Sequence, residues 1–281
     1  MPDILSTLQN TIVPESGERL SSCAPNYPVY LKYYISDNIG DGINPIMFNH
    51  FFNHRLKIAN DSNNKPCILG IGSIIEYFQN SSNIICGSGF IRAESVAKQP
   101  GQIISVRGPL SRQKFLDAGI ECPEKYGDFG LFFPYIIPKP LEVQRKFRIG
   151  FIPHFIDAEL DIVKRASRNT SWKIIDIMQT GTPEKFVDEI HECDVILSSS
   201  LHGIIIADSY NIPAHHTVLS DKVIGGEFKF RDYYLSVGRE YYNISIDSLN
   251  TEEILSRCKP YTIQFDVESY YSYVKNALER V

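Results

Sequence analysis

The sequence predicts a doubly wound α/β protein of two lobes, each built on a parallel sheet. Three observations predict it. From about residue 29, short β-branched or aromatic runs alternate with amphipathic stretches, as β-α units around a parallel sheet require. Residues 136–147, IIPKPLEVQRKF, break that rhythm with two prolines and a run of charge, the mark of a linker. A chain of 281 residues also exceeds the usual size of one domain, which gives lobes of residues 1–140 and 141–281.

In the first lobe the pattern predicts strands near residues 29–34, 67–71, 84–87 and 103–107, with helices near 45–59 and 109–118. Pro109 opens the second helix, where the missing N–H costs nothing, and Gly119 supplies its stop. In the second lobe, strands are expected near 147–152, 172–178, 194–198 and 214–219, and helices near 157–167, 183–193 and 202–210. A last helical pattern at 266–280 is expected to cross back and brace the first lobe.

Composition bounds the function. Hydrophobic residues make up 43%, aromatic 12% and charged 22%, ordinary values for a globular protein. A net charge of -5 without a lysine–arginine run argues against a nucleic-acid partner and leaves small anions and sugars open. The start MPDILSTLQN lacks a basic and an apolar signal region, and no segment approaches a spanning helix, so the expectation is a cytoplasmic protein. Six cysteines, Cys23, Cys67, Cys86, Cys122, Cys193 and Cys258, form no C-x-x-C pair and read as free thiols. No D-x-D triplet is present and no metal site is expected.

Ligands of open α/β sheets bind beyond the carboxyl ends of the strands, so the residues there are the candidates for chemistry. After the first strand, SDNIGDGINP (36–45) offers Asn38 and Asp41 to sugar hydroxyls, with Asp41 a candidate base; a turn capped by Asn44 reads equally well. GIGSI (70–74) and GSGF (87–90) let a ligand approach the backbone, Gly72 and Ser73 foremost, though neither is a phosphate-loop fingerprint. In SVRGPLSRQ (105–113), Arg107 ends a strand just before a helix start and suits a carboxylate or phosphate; a salt bridge between lobes is the competing reading. His154 ends the strand of FIPHFID (151–157), catalytic or simply structural. The most specific stretch is DVILSSSLHGIIIADSYNIPA (194–214). There Ser198, Ser199, Ser200, His202 and Gly203 meet a helix start, an anion cradle. Finally GGEFKFRDYYLSVGR (225–239) reads as a loop that offers Lys229 and Arg231 among aromatic rings.

DNIGDGINP, ILGIGSI, SVRGPLSR, YGDFGLFFP, GFIPHFID, ILSSSLHGIIIADSYNIP and GGEFKFRDYY, in this order across residues 30 to about 235, resemble the polysaccharide pyruvyl transferases, especially their bacterial exopolysaccharide branch. The resemblance implies two Rossmann-like lobes in a GT-B-like arrangement, and phosphoenolpyruvate as donor in a positively charged pocket between them. It further implies a saccharide acceptor, lipid-linked or free, no cofactor, and peripheral association with the inner membrane face where the acceptor is lipid-linked. The family arginine after the last strand of the first lobe falls on Arg107, and its serine-leucine-histidine turn on Ser200, Leu201 and His202. Many members carry arginine where this chain has Ser200, so Lys229 or Arg231 is expected to replace it.

On this reading His202 is the acid that protonates the donor's methylene carbon or phosphate, Arg107 faces it across the slot as the anion clamp, and Asp41 or His154 takes the hydroxyl proton. A nucleotide-sugar glycosyltransferase and a non-catalytic glycan- or anion-binding protein are the alternatives, since the fold alone decides neither.

Overall fold

The computed structural model describes residues 29–52, 56–59, 65–178 and 182–281. Cys23 and residues 53–55 of the expected first helix lie outside them. The first lobe holds five parallel strands: β1 (Val29–Lys32), β2 (Leu56–Ile58), β3 (Cys67–Leu69), β4 (Ile84–Cys86) and β5 (Gln102–Ser105), in spatial order β2-β1-β3-β4-β5. Its helices are α1 (Ile39–Gly42), α2 (Asn44–Phe52), α3 (Pro109–Asp117) and α4 (Phe133–Ile136). The second lobe has four parallel strands, β6 (Phe147–Ile152), β7 (Trp172–Ile174), β8 (Cys193–Ser198) and β9 (Ala214–His216), in order β7-β6-β8-β9. Around them run α5 (Asp161–Ala166), α6 (Pro183–His191), α7 (Leu201–Ser209), α8 (Phe228–Ser236), α9 (Thr251–Arg257) and α10 (Val267–Leu278). The expected α/β class with two parallel sheets is therefore what the chain adopts.

Three elements differ from the sequence reading, each for a physical reason. The helix expected through residue 59 is α2 alone, and Leu56–Ile58 instead pairs in parallel with β1, Val29 opposite Leu56. Leu56 and Ile58 sit two apart, the same-face spacing of a strand and not of a helix. The helix expected from residue 157 is split: Phe155–Asp157 is a single 3-10 turn capped by His154, and α5 begins only at Asp161. The expected 225–239 loop is mostly helix α8. It buries Lys229, Phe230, Asp232, Tyr233 and Tyr234, a helical stripe hidden in a run of aromatics that strands also favour.

The lobes are joined by packing as well as by chain. One buried cluster runs from Phe48 and Phe52 of α2 through Phe129, Phe132 and Phe133 to Ile204, Ile205 and Ile206 of α7. Close approach is required at Gly130, where a Cβ would meet Ile205 Cγ2 at 2.7 Å. The Ile39 amide donates to Ile177 O across the lobes (3.0 Å). On the first lobe, α10 sets its Tyr270 hydroxyl 2.9 Å from both Ser105 Oγ and Gly127 O, and Tyr273 donates to Ile104 O. Cys67, Cys86, Cys122 and Cys193 are buried free thiols and Cys258 is a half-buried one. Among the described residues no helix is long and apolar enough to cross a membrane.

Candidate functional site

A cavity of about 220 Å³ opens between the lobes, beyond the carboxyl ends of both sheets. From the first lobe it is lined by Tyr34, Asn38, Asp41, Ser73 and Tyr77, and from the second by His154, Ser200, His202 and Lys229. Seven of the residues singled out from sequence thus meet on one space: Asn38, Asp41, Ser73, His154, Ser200, His202 and Lys229.

The geometry around His202 fixes its tautomer. Asn38 caps α1, its Oδ1 accepting from the Gly40 amide at 3.0 Å, and the same oxygen lies 2.8 Å from His202 Nδ1. A backbone N–H can only donate, so the atom facing it is the amide oxygen; Nδ1 must then carry the hydrogen, and Nε2 is bare. Burial, with Lys229, Arg107 and His154 nearby, pulls the imidazole down to about 3, so it is neutral. Gly40 has no side chain for a spatial reason, since a Cβ there would sit 2.1 Å from His202 Cγ.

His154 has the opposite tautomer. Its Nδ1 accepts from the Ile156 amide (3.3 Å), which leaves the proton on Nε2. Burial and then Lys229 bring its pKa to about 4, so it too is neutral and serves as an N–H donor. The Ser199 hydroxyl takes the His154 amide at 2.7 Å and fixes the ring's backbone.

Asp41 holds Ser36 Oγ at 3.0 Å. Burial raises its carboxyl to about 7, the Ser36 hydrogen bond and Lys229 opposing and Asp128 adding to the rise. Lys229 is 7% exposed; burial, then Arg107, lower its ammonium to about 8 against the pull of Asp41. The cavity therefore offers one cation, two neutral imidazoles of opposite polarity and one carboxyl that is still partly protonated at neutral pH.

Arg107 corrects the expectation of a guanidinium facing His202 across the slot. It is fully buried and does not line the cavity. Its Nε donates to Asp232 Oδ2 (3.1 Å), Nη1 to Ser73 Oγ (2.5 Å) and Nη2 to Phe90 O (2.7 Å). Asp232 also takes the Ser111 amide (2.9 Å) and hydroxyl (2.6 Å), so strand end, helix start and α8 are tied in one knot. The competing reading, a salt bridge between lobes, is the observed one. Its physical origin is that the crevice wall at Ser73 lies between the guanidinium and the open space.

Other expected ligands are placed elsewhere. Arg231 is exposed, its guanidinium 5.8 Å from the Tyr241 ring, because a helix turns about 200° over the two residues from Lys229. Ser198 knits the turn, its one hydroxyl hydrogen within reach of both Ile152 O and Ser200 O and its oxygen accepting from the Ser200 amide. Gly203 is a packing position, where a Cβ would meet Ser198 Oγ at 2.6 Å. Gly72 sits at φ +120°, a backbone conformation that a side chain would strain, which makes it a turn position. Asn44, read as a cap, instead clamps the loop after β3, donating to Asp41 O and Ile71 O and accepting from the Ile71 amide. Asp232 and Ser111 escaped the sequence reading. The only signal for Asp232 is its i, i+3 spacing from Lys229, visible once 228–236 is read as helix.

Fold and cleft together define a two-lobed α/β protein with a small, cation-bearing site between its sheets. Residues 25–220 match the polysaccharide pyruvyl transferase family, and the chain belongs to that family. Among its relatives, the uncharacterized protein L143 of Acanthamoeba polyphaga mimivirus is 27% identical over 219 residues, 75% of each chain. The succinoglycan biosynthesis protein ExoV of Rhizobium meliloti is 23% identical over 184 residues, 62% of this chain and 54% of ExoV, so the match spans about half of that protein. A crystal structure of a functionally uncharacterized Klebsiella pneumoniae protein overlays with a TM-score of 0.42 at 15% identity, covering 74% of this chain and 87% of the other.

Proposed function

We propose that the chain transfers a pyruvyl group from phosphoenolpyruvate to a saccharide used in polysaccharide biosynthesis, closing a ketal on two sugar hydroxyls. The observation that carries this reading is the meeting of Lys229, His202 and Asp41 on one inter-lobe cavity in a member of this family. Lys229 takes the donor's carboxylate or phosphate, the place that arginine fills where other members lack Ser200, and the Nε2–H of His154 adds a hydrogen bond.

The roles of acid and base follow from the tautomers. A neutral His202 with bare Nε2 has no proton to give, whereas the Asp41 carboxyl keeps one over much of the neutral range. Arrival of an anionic donor raises both groups further, which holds Asp41 protonated and makes His202 a competent base. Asp41 therefore delivers its proton to the methylene carbon, and positive charge develops at the adjacent carbon. The first sugar hydroxyl adds there while His202 Nε2 removes its proton. The carbon–oxygen bond to phosphate breaks, and the leaving phosphate takes that proton from His202. The second hydroxyl then closes the ketal and returns a proton to Asp41. One hydroxyl proton ends on phosphate, the other restores Asp41, and the methylene becomes a methyl group.

The test is incubation with phosphoenolpyruvate and a saccharide panel, reading phosphate release and the pyruvyl mass gain, beside a nucleotide-sugar control. Phosphate release lost in Asp41→Asn and His202→Gln is the expected result. Nucleotide release from a sugar donor, or near-normal turnover in His202→Gln, would overturn it.

A further inference from the structure

The wall of the cleft has a second cavity on its far side. Ser200 and Lys229 line the first cavity, and their chain neighbours Ser199 and Phe230 line a second of about 430 Å³. The partition is one residue thick at both the serine turn and the start of α8, and Ile224 borders both spaces. Two ligands, one on each side, would meet at that edge.

The second cavity is furnished for hydroxyl groups. Thr217 lines it, fully buried, its amide held by Ser198 O at 3.0 Å, and its Oγ1 has no partner. A buried hydroxyl left unpaired is destabilising, and a ligand hydroxyl would supply the missing partner. Behind the lining Ser220, the fully buried Asp157 takes the Ser220 hydroxyl on Oδ1 and leaves Oδ2 unpaired. Two carboxylates, Asp221 and Glu227, face one ammonium, Lys222, along the lining. That balance repels a phosphate and suits a polyol, whose hydroxyls carboxylates accept in pairs. An apolar wall is supplied by the His216 ring stacked on Phe230, centroids 3.6 Å apart and 18° from parallel. The volume lies within the range of ligand pockets.

We propose that this second cavity is the acceptor subsite, holding a hexopyranose unit whose hydroxyls bond to Thr217 and Glu227 while the donor lies across the Ser199–Ser200 wall. The inference rests on the pyruvyl-transfer reading of the first cavity. Its test uses the full chain, with methyl β-D-glucopyranoside and methyl β-D-galactopyranoside as probes for saturation-transfer NMR, and phosphoenolpyruvate in a separate calorimetric titration. Thr217→Val, which keeps shape, and Glu227→Gln, which is exposed, should each weaken hexoside binding about five- to tenfold, the worth of one hydrogen bond, with phosphoenolpyruvate affinity preserved and Tm unchanged in Glu227→Gln and unchanged or raised in Thr217→Val. Lys229→Ala should do the reverse. The proposal is overturned if neither hexoside binds the wild-type chain, if both variants bind it as tightly as wild type, or if they lose phosphoenolpyruvate affinity instead. Hexoside binding that responds to the two variants in a protein with no affinity for phosphoenolpyruvate would keep the sugar site and sink the donor assignment.

Discussion

Replacing Lys229 by methionine is expected to stabilise the protein at neutral pH while removing its hold on an anionic donor. The side chain is 7% exposed, and burial together with Arg107 outweighs the attraction of Asp41, lowering the ammonium from its ordinary 10.5 to about 8. The folded state therefore binds this proton more weakly than the unfolded chain. The resulting deficit is complete below pH 8 and fades as pH rises towards 10.5. At about 1.4 kcal/mol for each pH unit between the two values, it amounts to roughly 3 kcal/mol. Methionine fills similar volume without charge, so Tm at pH 7 should rise by about 6–12 °C, the two proteins converging near pH 10. Affinity for phosphoenolpyruvate should fall about 10- to 100-fold, the scale of one charge-assisted hydrogen bond. Differential scanning fluorimetry at several pH values and calorimetric titration measure the two effects. A Lys229→Met protein no more stable than wild type at pH 7, or one that keeps its donor affinity, would refute the reasoning.

Three further outcomes follow from the same geometry. Asp232→Ala strands a fully buried guanidinium and two Ser111 donors, and should cost about 3–5 kcal/mol in denaturant unfolding; the paired Arg107→Met, Asp232→Leu replacement should recover most of that loss. Asp41 holds its proton more tightly folded than unfolded, so wild-type stability drops as pH climbs from about 4 through 7; Asp41→Asn should match wild type at pH 4 and exceed it at pH 8, while the turnover of wild type declines above pH 7. Tyr270→Phe removes a hydroxyl placed between Ser105 and Gly127 and should lower stability by about 1 kcal/mol, read as a Tm fall of roughly 2–4 °C.

What the sequence disclosed and withheld can be traced to reach. β6 was legible to its end residues, because an apolar run flanked by charge and proline has one reading. The serine-leucine-histidine turn was legible because a strand end, three hydroxyls and a helix start lie within a few residues. The direction of Arg107 was not, since its partner Asp232 lies 125 residues away and no local pattern announces it. Lys229 and Arg231 could not be told apart until 228–236 was seen as a helix, whose turn sends them to different sides. The tautomer of His202 and the raised carboxyl of Asp41 were likewise invisible: the first depends on which atom of Asn38 faces the ring, set by the Gly40 amide, and the second on burial.

The ion pair at Arg107 and Asp232 bears on how the protein cycles. Swinging the sheets apart as rigid bodies would break that pair and expose to water an apolar, aromatic cluster common to both halves. Opening and shutting of the whole molecule is thus an uneconomical gate. The exposed rings of Tyr34, Tyr77 and Phe155 and the side chain of Ile224 frame the cavity, so local rearrangement of these side chains, without movement of the lobes, is the expected way in and out.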